Sequence, residues 1–395
     1  MADGVNKIIA VKKETAWGTQ ASASGAQLLP RVTGGFQLEK DSYDSNLINP
    51  SQQVRDSRHG TRKATGTLEG ELMGSAYALF MAAALRKDFV GAVTTTALTT
   101  IAASATGYTR STGSYLTDGF KNGMIATVGG FVNAANNGKV LITGVTATVL
   151  TARRVDGTTM VTEAAGPSVT IALAGKRTFV PQTGHTDDSF TVEELYQDLS
   201  PVVSCITTGQ QVNTMDIDAS PNSMVKISFG FMGKNANPAT NTAYFTSPAA
   251  VPSEGTMSSP SGLAVVNGTK TCDLTSFKLS INNNITQESV VFCPDMGAKS
   301  RGNVAVTGTF TALFKDITFL NYFDAEQEIT LSASWIAQDG DVISVYLPRV
   351  KINSSTRDDG QKVIIITCNF TALESYGLVV GEEKTTITIQ DTSAP

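Results

Sequence analysis

Apolar and polar side chains alternate along many short segments of this chain, a pattern that predicts β-strands with one buried and one exposed face. Clear examples are residues 225–231 and 363–370. One segment departs from this pattern: residues 75–87 are rich in Ala and predict a helix, with Ser75 as its N-cap. Residues 316–325 predict a second short helix. We therefore expect a mainly β chain with little helix.

The order of predicted elements occurs twice, in residues 36–81 and again in residues 277–323. Each copy has an alternating strand, a long polar excursion that ends in basic residues, a strand containing Gly-Thr, and a helix. Gly66 and Gly308, in the two Gly-Thr strands, are 242 residues apart, and a second Gly pair keeps the same spacing. Repetition at one spacing predicts a duplicated domain.

A second spacing indicates an insertion in the first copy. Strands beginning at Val212 and Val225 match strands beginning at Val350 and Val363, but the spacing here is 138 residues. The difference between 242 and 138 predicts 104 additional residues inside the first copy. Four Asx-Gly pairs within residues 118–157 separate short β-rich runs, and Asx-Gly between such runs is a strong hairpin signal.

The predicted fold is therefore a mainly β chain made of two copies of a β-sandwich or barrel wedge, each copy with a short helix, plus a small inserted all-β domain. The first copy is discontinuous and comprises residues 1–90 and 186–255, including an N-terminal arm. The inserted domain comprises residues 109–175. The second copy comprises residues 256–395 and ends in a C-terminal tail. Residues 90–109 have the composition of a linker.

The composition favours no catalytic or metal-binding class. The 395 residues carry a net charge of −5, which disfavours a dedicated nucleic-acid binder. No nucleophile elbow, zinc-protease, phosphate-loop or dinucleotide motif occurs, and there are only two histidines. We expect no enzymatic activity, no metal site and no cofactor.

The four cysteines show no CxxC pair. Cys205 and Cys368 are expected to be buried in strands. For Cys272 and Cys293 a disulfide is the alternative to two free thiols. The N-terminal residues lack the apolar segment of a signal peptide, and no run is long enough for a membrane helix, so we expect a soluble protein made in a cytoplasm.

Particular segments carry a resemblance to a known family. Residues 11–19, with the sequence Val-Lys-Lys-Glu-Thr-Ala-Trp-Gly-Thr, resemble the start of tail tube (major tail) proteins of long-tailed bacteriophages. Residues 36–87 resemble the same proteins in their strand, polar loop, Arg-containing return strand and helix. Residues 118–120 and 130–138 are similar to small β domains that decorate phage virion proteins.

The resemblance implies a structural virion protein that assembles in the host cytoplasm into stacked rings, forming the hollow tail tube through which DNA is ejected. It implies a β-barrel wall shared between subunits, a long loop that reaches the adjacent ring, and no membrane contact. The implied partners are further copies of the chain, the tape measure protein, the tail terminator and distal tail proteins, with DNA in transient passage. Two wedges per chain predict a trimeric ring with pseudo-sixfold symmetry, and a hexamer is the alternative.

Three further expectations concern surfaces. The lumen is expected to present acidic or neutral side chains, and the inserted domain to point outward and to be dispensable for assembly. The polar excursions, residues 43–63 and 283–301, are too long for ordinary hairpin turns and are expected to become ordered between rings. The side chains expected to make these contacts are Arg55, Arg58, Arg62, Lys63, Lys299 and Arg301. The competing hypothesis is a β-sandwich module that binds glycans on a virion or cell surface.

Overall fold

The protein is a two-layered β structure, seen in a computed structural model that describes residues 1–91, 93–359, 361–377 and 379–394. The expectation of a mainly β fold is confirmed. Seventeen strands form one branched antiparallel sheet, six strands form a second sheet, and two form a separate hairpin. Within the described residues, no helix is long and apolar enough to cross a membrane.

The elements, in chain order, are β1 (Lys7–Lys13), β2 (Gln27–Leu28), β3 (Thr33–Asp44), β4 (Ser57–Glu71), α1 (Ala78–Leu85), β5 (Ile101–Ser104), β6 (Gly107–Arg110), α2 (Tyr115–Asp118), β7 (Ile125–Gly129), β8 (Gly138–Val145), β9 (Val149–Arg154), β10 (Thr170–Leu173), β11 (Lys176–Phe179), β12 (Phe190–Tyr196), β13 (Val203–Ala219), β14 (Lys226–Gly233), β15 (Asn235–Ala236), β16 (Gly262–Val266), β17 (Thr269–Thr271), β18 (Leu274–Asn282), β19 (Ile285–Glu288), β20 (Ala298–Arg301), β21 (Ala305–Leu313), α3 (Thr318–Asp324), β22 (Ile329–Ile336), β23 (Val342–Arg357), β24 (Ile365–Ala372) and β25 (Thr388–Asp391).

One layer contains eight strands in the order β3–β4–β14–β13–β18–β21–β24–β23, all antiparallel to their neighbours. These strands alternate buried and exposed positions, as in β14, because one face covers the core and the other faces solvent. We call this the eight-stranded layer. Its core face packs against α1 and the second layer, and one apolar cluster runs through both halves of the chain.

The second layer is built by the remaining strands of the main sheet. In the first half β1 pairs with β12, and β12 pairs with the beginning of β13. In the second half β16 pairs with β22, and β22 pairs with the beginning of β23. The two long strands, β13 and β23, thus begin in the second layer and end in the eight-stranded layer.

The duplication is visible in the positions of the β-bulges. The ladder of β13 with β14 shifts register after Val212, which lies opposite Phe231. The ladder of β23 with β24 shifts register after Ile352, which lies opposite Phe370. Val212 and Ile352 are 140 residues apart, so the sequence-based match of Val212 to Val350 was displaced by two residues. Bulges are specific local features, and their recurrence at matching places fits the repeated unit that the sequence predicts.

The Gly-Thr strands keep the spacing expected from the sequence. Gly66 in β4 lies opposite Phe231, and Gly308 in β21 lies opposite Phe370. A Cβ on Gly66 would lie 2.2 Å from the Phe36 ring, and one on Gly308 would lie 2.4 Å from the Phe370 ring. Each glycine therefore makes room for an aromatic ring of the core.

Helix α1 differs from the expectation at its start. It begins at Ala78, and Ser75 lies outside it with φ at 55°, so Ser75 is not the N-cap. The backbone N–H of Ser75 instead donates to the carboxylate of Asp391, 2.8 Å away, in the last strand. The sequence pattern could not show this contact because the two residues are 316 positions apart.

The second sheet has the order β10–β7–β8–β9–β6–β5 and encloses its own apolar cluster. It begins at β5, so the segment of residues 90–109, which has the composition of a linker, contains β5 and most of β6. One face of the sheet packs on the second half of the chain through a cluster that includes Ile125, Leu141, Leu263 and Val342. We call residues 101–173 the inserted sheet.

Gln390 of β25 joins the inserted sheet to the second half. Its side chain is 1 % exposed. The amide accepts a hydrogen bond from the N–H of Ile125 at 2.8 Å and donates to the carbonyls of Ile125 and Ala174, both at 2.7 Å. The carbonyl of Ile125 also accepts from the N–H of Ala174 at 3.0 Å, so Gln390 chiefly satisfies the N–H of Ile125 and the carbonyl of Ala174, which the interface would otherwise bury unpaired.

Candidate assembly surfaces

The eight-stranded layer has two outer edges, formed by β3 and by the last part of β23. Within the described part of the chain, β3 pairs only with β4, and residues 352–357 of β23 pair only with β24. Unpaired edges are templates for further strands, and proteins protect them or use them for assembly. The two edges lie at opposite ends of one layer, so a second copy could pair with each.

The two edges differ in their protection. The outward N–H of Phe36 donates to Glu194 at 3.2 Å, and the Lys7 ammonium group donates to the carbonyl of Gly34 at 2.9 Å. Lys7 and Glu194 also form an ion pair. Side chains thus occupy the first part of the β3 edge. From Gln37 onward, β3 pairs with no strand other than β4 among the described residues.

The two halves of the chain are joined within the eight-stranded layer by one strand pair. β18, the first strand of the second repeat in this layer, pairs with the end of β13, with Met215 opposite Ile281 and Asp216 opposite Ser280. β18 corresponds to β3, and β13 corresponds to β23. The chain therefore contains, within itself, the contact that its two outer edges could make with other copies.

The two repeat helices are buried to different extents. Seven of the eight residues of α1 are buried, whereas α3 has no buried residue. Asn283, directly after β18, donates to the carbonyl of Ala84 at 3.0 Å and so helps to cover the end of α1. Ile317 and Phe323, at the two ends of α3, are 62 % and 37 % exposed. The element that would cover α3 in the same way is absent from the described part of the chain.

The polar excursions are β-hairpins. β3 and β4 remain paired as far as Asp44 and Ser57, so the first excursion is a long hairpin with a loop at residues 45–56. β19 and β20 form a second hairpin with a loop at residues 289–297. Arg62 pairs with Asp295 and donates its backbone N–H to the carbonyl of Pro294 at 2.9 Å, which joins the two hairpins.

The basic residues of the first hairpin have different surroundings. Arg55 is exposed and forms no ion pair with any described residue. Arg58 pairs with its neighbour Asp56 at 3.2 Å, and Lys63 lies 3.6 Å from Glu39. Of these side chains, Arg55 and Arg58 are the most accessible to another subunit. The predicted intersubunit role of the set stays a prediction.

Lys299 and Arg301 lie at the base of the second hairpin, where they bind Asp187. The Asp187 carboxylate is 2.5 Å from the Lys299 amine and 2.8 Å from the Arg301 guanidinium. Burial acts to raise the pKa of Asp187, but the hydrogen bond from Lys299 and the charge of Arg301 outweigh it, so the pKa lies below its ordinary value. These two cations therefore brace the hairpin against its own chain.

The hairpin loops also carry apolar side chains that charge-based reasoning overlooked. Ile48 is 102 % exposed in the first loop, and Phe292 is 103 % exposed in the second. Leu47, Val54 and Val291 are also largely exposed. The signal in the sequence was a short apolar run, Val290-Val291-Phe292, between polar segments.

The exposed face of the eight-stranded layer is polar and mildly acidic. Its lysines are neutralised in part: Lys226 lies 3.2 Å from Glu69, and Lys278 lies 2.9 Å from Asp218. Asp216 forms no ion pair with any described residue. The second half of the face carries uncharged groups, including a 2.6 Å hydrogen bond from Thr309 to Asn369. A phosphate backbone would find few free cations on this surface.

All four cysteines are free. Cys368 is buried in β24 and Cys205 is half-buried in β13, whereas Cys272 and Cys293 are both exposed. Cys272 precedes β18 and Cys293 follows it, so the strand separates them and they form no disulfide. Among the described residues, no group of three or more His, Cys, Asp or Glu side chains is arranged to hold a metal ion.

Comparison of the sequence with known proteins identifies its family. The sequence matches the model of a family described as phage tail tube protein over residues 4–372, which includes the first half, the inserted sheet and the second half as far as the end of β24. A search of curated proteins found no match. The match favours a tail subunit over a surface-displayed binding module. The chain belongs to the phage tail tube protein family, and it is a structural protein of the virion tail.

Proposed function

We propose that three copies of this chain close into a ring when β23 of each chain pairs with β3 of the next, and that the rings stack into the tail tube. The observation that carries this proposal is the internal junction of β13 with β18. Each half of the chain corresponds to one wedge. Repeating the internal junction between chains would remove both outer edges and close the barrel.

The bulges supply the register of this contact. Asp216 corresponds to Thr356 through the 140-residue spacing of Val212 and Ile352. Ser280 corresponds to Gln37, because Leu279 and Phe36 lie opposite the equivalent glycines of β21 and β4. The contact between chains then places Thr356 opposite Gln37, just as Asp216 lies opposite Ser280 within the chain.

The exposed helix α3 supports the same arrangement. In the first half, α1 is covered where β18 joins the layer. In the ring, the first half of the neighbouring chain would lie beside α3 in the corresponding position. Ile317 and Phe323 would then become buried, which adds apolar contact area to the strand pairing.

The size of the barrel favours three chains over six. Three chains contribute three times eight strands to the wall. With strands about 4.8 Å apart and tilted by about 40°, twenty-four strands give a backbone diameter of about 50 Å, and forty-eight give about 100 Å. The smaller barrel leaves a bore that suits a DNA duplex once side chains line it.

In this arrangement the polar face of the eight-stranded layer lines the lumen. Asp216 and the paired lysines would present little free positive charge to passing DNA. A lumen rich in unpaired lysines would hold phosphates through counterion release and slow transit. The inserted sheet packs on the opposite layer, so it would lie on the outside of the tube.

Electron microscopy of the purified protein tests the proposal. We expect tubes or stacked annuli with a repeating unit of three chains and a wall diameter of about 50 Å at the backbone. Rings of six chains would contradict the proposed ring of three chains, but they would still be consistent with a tube. A monomer that stays dispersed at high concentration would overturn the proposal as a whole.

A further inference from the structure

The second hairpin presents a preformed apolar knob at one end of the subunit. Val291 and Phe292 at its tip are 79 % and 103 % exposed. Phe292 has a φ of 69°, in the left-handed region that an aromatic residue rarely adopts. Large apolar side chains held in water are unfavourable, and such residues commonly mark a contact surface. We call residues 290–293 the knob.

Contacts within the chain hold the knob in place. Arg62 binds Pro294 and Asp295 directly after it. At the base of the hairpin, Gln287 donates to the carbonyl of Gly233 at 3.0 Å, and Ile285 donates its N–H to Asn213 at 2.8 Å. A braced hairpin loses little conformational entropy when it binds, which favours its use as a preformed contact.

An apolar groove lies at the other end of the subunit. It has a volume of about 350 Å³ and lies between the turn after β13, the start of β18, and β16 with β22. Phe277, Leu331 and Trp335 line its apolar part. The hydroxyl groups of Ser259 and Ser332, which also line it, have no hydrogen-bond partner among the described residues, and Ser332 is only 3 % exposed. We call this the Trp335 groove.

The knob and the groove lie at opposite ends of the same strand. β18 begins beside the groove at Leu274 and ends before the hairpin at Asn282. Nine residues of strand span about 30 Å. Subunits stacked head to tail would bring the knob of one to the groove of the next. A contact between two different surfaces that does not close on itself generates a filament.

We propose that the knob of each chain occupies the Trp335 groove of a chain in the adjacent ring. This inference rests on the proposed function and specifies the contact between its rings. Phe292 and Val291 supply apolar side chains that would pack against the apolar part of the groove.

Two native cysteines make the contact measurable. Cys293 belongs to the knob, and Cys272 lines the groove. Both are free and exposed, and β18 keeps them apart within one chain. Docking would bring Cys293 of one ring close to Cys272 of the next, whereas Cys205 and Cys368 lie within strands.

The experiment treats assembled tubes of the wild-type chain with copper phenanthroline, or with a short bismaleimide, and separates the products on a denaturing gel without reductant. We expect a ladder of covalent multimers that Cys272→Ser and Cys293→Ser each abolish, and that Cys205→Ser leaves unchanged. Tubes that yield no ladder with either reagent, or a ladder that survives Cys272→Ser, would overturn the inference.

A second variant tests the apolar contact without relying on thiol chemistry. Phe292→Ser removes an exposed side chain and should leave the fold intact, while the yield of long tubes falls at least tenfold and single rings accumulate. Val132→Ser, at an 85 % exposed position of the inserted sheet, is the matched control and should polymerise normally. Normal tubes from Phe292→Ser would contradict the inference. Absence of tubes from the wild-type chain would instead overturn the proposed function, and this inference with it.

Discussion

Replacing Gln390 by Met tests whether the inserted sheet is held to the second half by buried polar contacts. Met has a similar volume, so the substitution removes hydrogen bonds with little change in packing. The N–H of Ile125 and the carbonyl of Ala174 would lose the Gln390 amide as their partner in a site where Gln390 is 1 % exposed, whereas the carbonyl of Ile125 keeps the N–H of Ala174 at 3.0 Å.

The structure gives the expected size of this effect. Each buried backbone group left unpaired costs about 1–3 kcal/mol, so two such groups are expected to cost about 2–6 kcal/mol. For a folding unit made of the inserted sheet and the second half, the melting temperature falls by roughly 2–4 °C per kcal/mol, which gives a decrease of about 4–24 °C. The transition affected should be the one that includes the inserted sheet and the second half.

Differential scanning calorimetry of the unassembled subunit measures this decrease directly. Gln182→Met is the matched control because Gln182 donates one exposed hydrogen bond to Glu374, and its loss should change stability by less than about 0.5 kcal/mol. If Gln390→Met and Gln182→Met melt within about 2 °C of each other, a difference below 1 kcal/mol, the interface does not depend on Gln390 and the reasoning is wrong.

Other predictions concern the second hairpin and the ring contact. Asp187→Asn should destabilise the base of the hairpin by about 1–2 kcal/mol, because Lys299 and Arg301 lose their partner while solvent screens part of the effect. Limited proteolysis in the hairpin loop should then become several-fold faster, and an unchanged rate would argue against the brace. The pKa of Asp187 is depressed in the folded chain, so its contribution is present above the ordinary value of 3.8 and is lost as the pH falls through the folded-state pKa. Proteolysis of the wild-type hairpin with an acid-active protease should therefore accelerate below pH 3.8, and much less so in Asp187→Asn. Ile317→Ser should leave the subunit folded but weaken ring formation in sedimentation, and rings of normal stability would show that α3 stays uncovered.

The repeated order of elements could be predicted from the sequence because it depends on local sequence features. The Gly-Thr strands are recognisable since each glycine lies against an aromatic ring, and their 242-residue spacing survives in the structure. The spacing of β13 and β23 was misjudged because Val350 resembles Val212 in type. Only the pairing with β24 reveals that Ile352 is the equivalent residue.

Long-range contacts explain what the sequence could not reveal. Gln390 lies in a segment that reads as a polar tail, yet it bonds to backbone groups more than two hundred residues away. That interface argues against the expectation that the inserted domain is dispensable. Deleting the inserted sheet would expose apolar residues of the second half such as Leu263 and Val342. From the sequence alone, Lys299 and Arg301 were expected to be available for contacts with other subunits, because their partner Asp187 is distant in sequence.

The most direct test of ring closure joins the two outer edges covalently. Gln37→Cys with Thr356→Cys, in a chain that also carries Cys272→Ser and Cys293→Ser, places one thiol on each proposed partner strand. Oxidation of assembled rings should produce a closed series of covalent products that ends at three chains. Gln37→Cys with Thr307→Cys, which places the second thiol on the inner strand β21, should yield no such series. A series that ends at six chains, or no cross-linking of the Gln37 and Thr356 positions in intact tubes, would contradict the account.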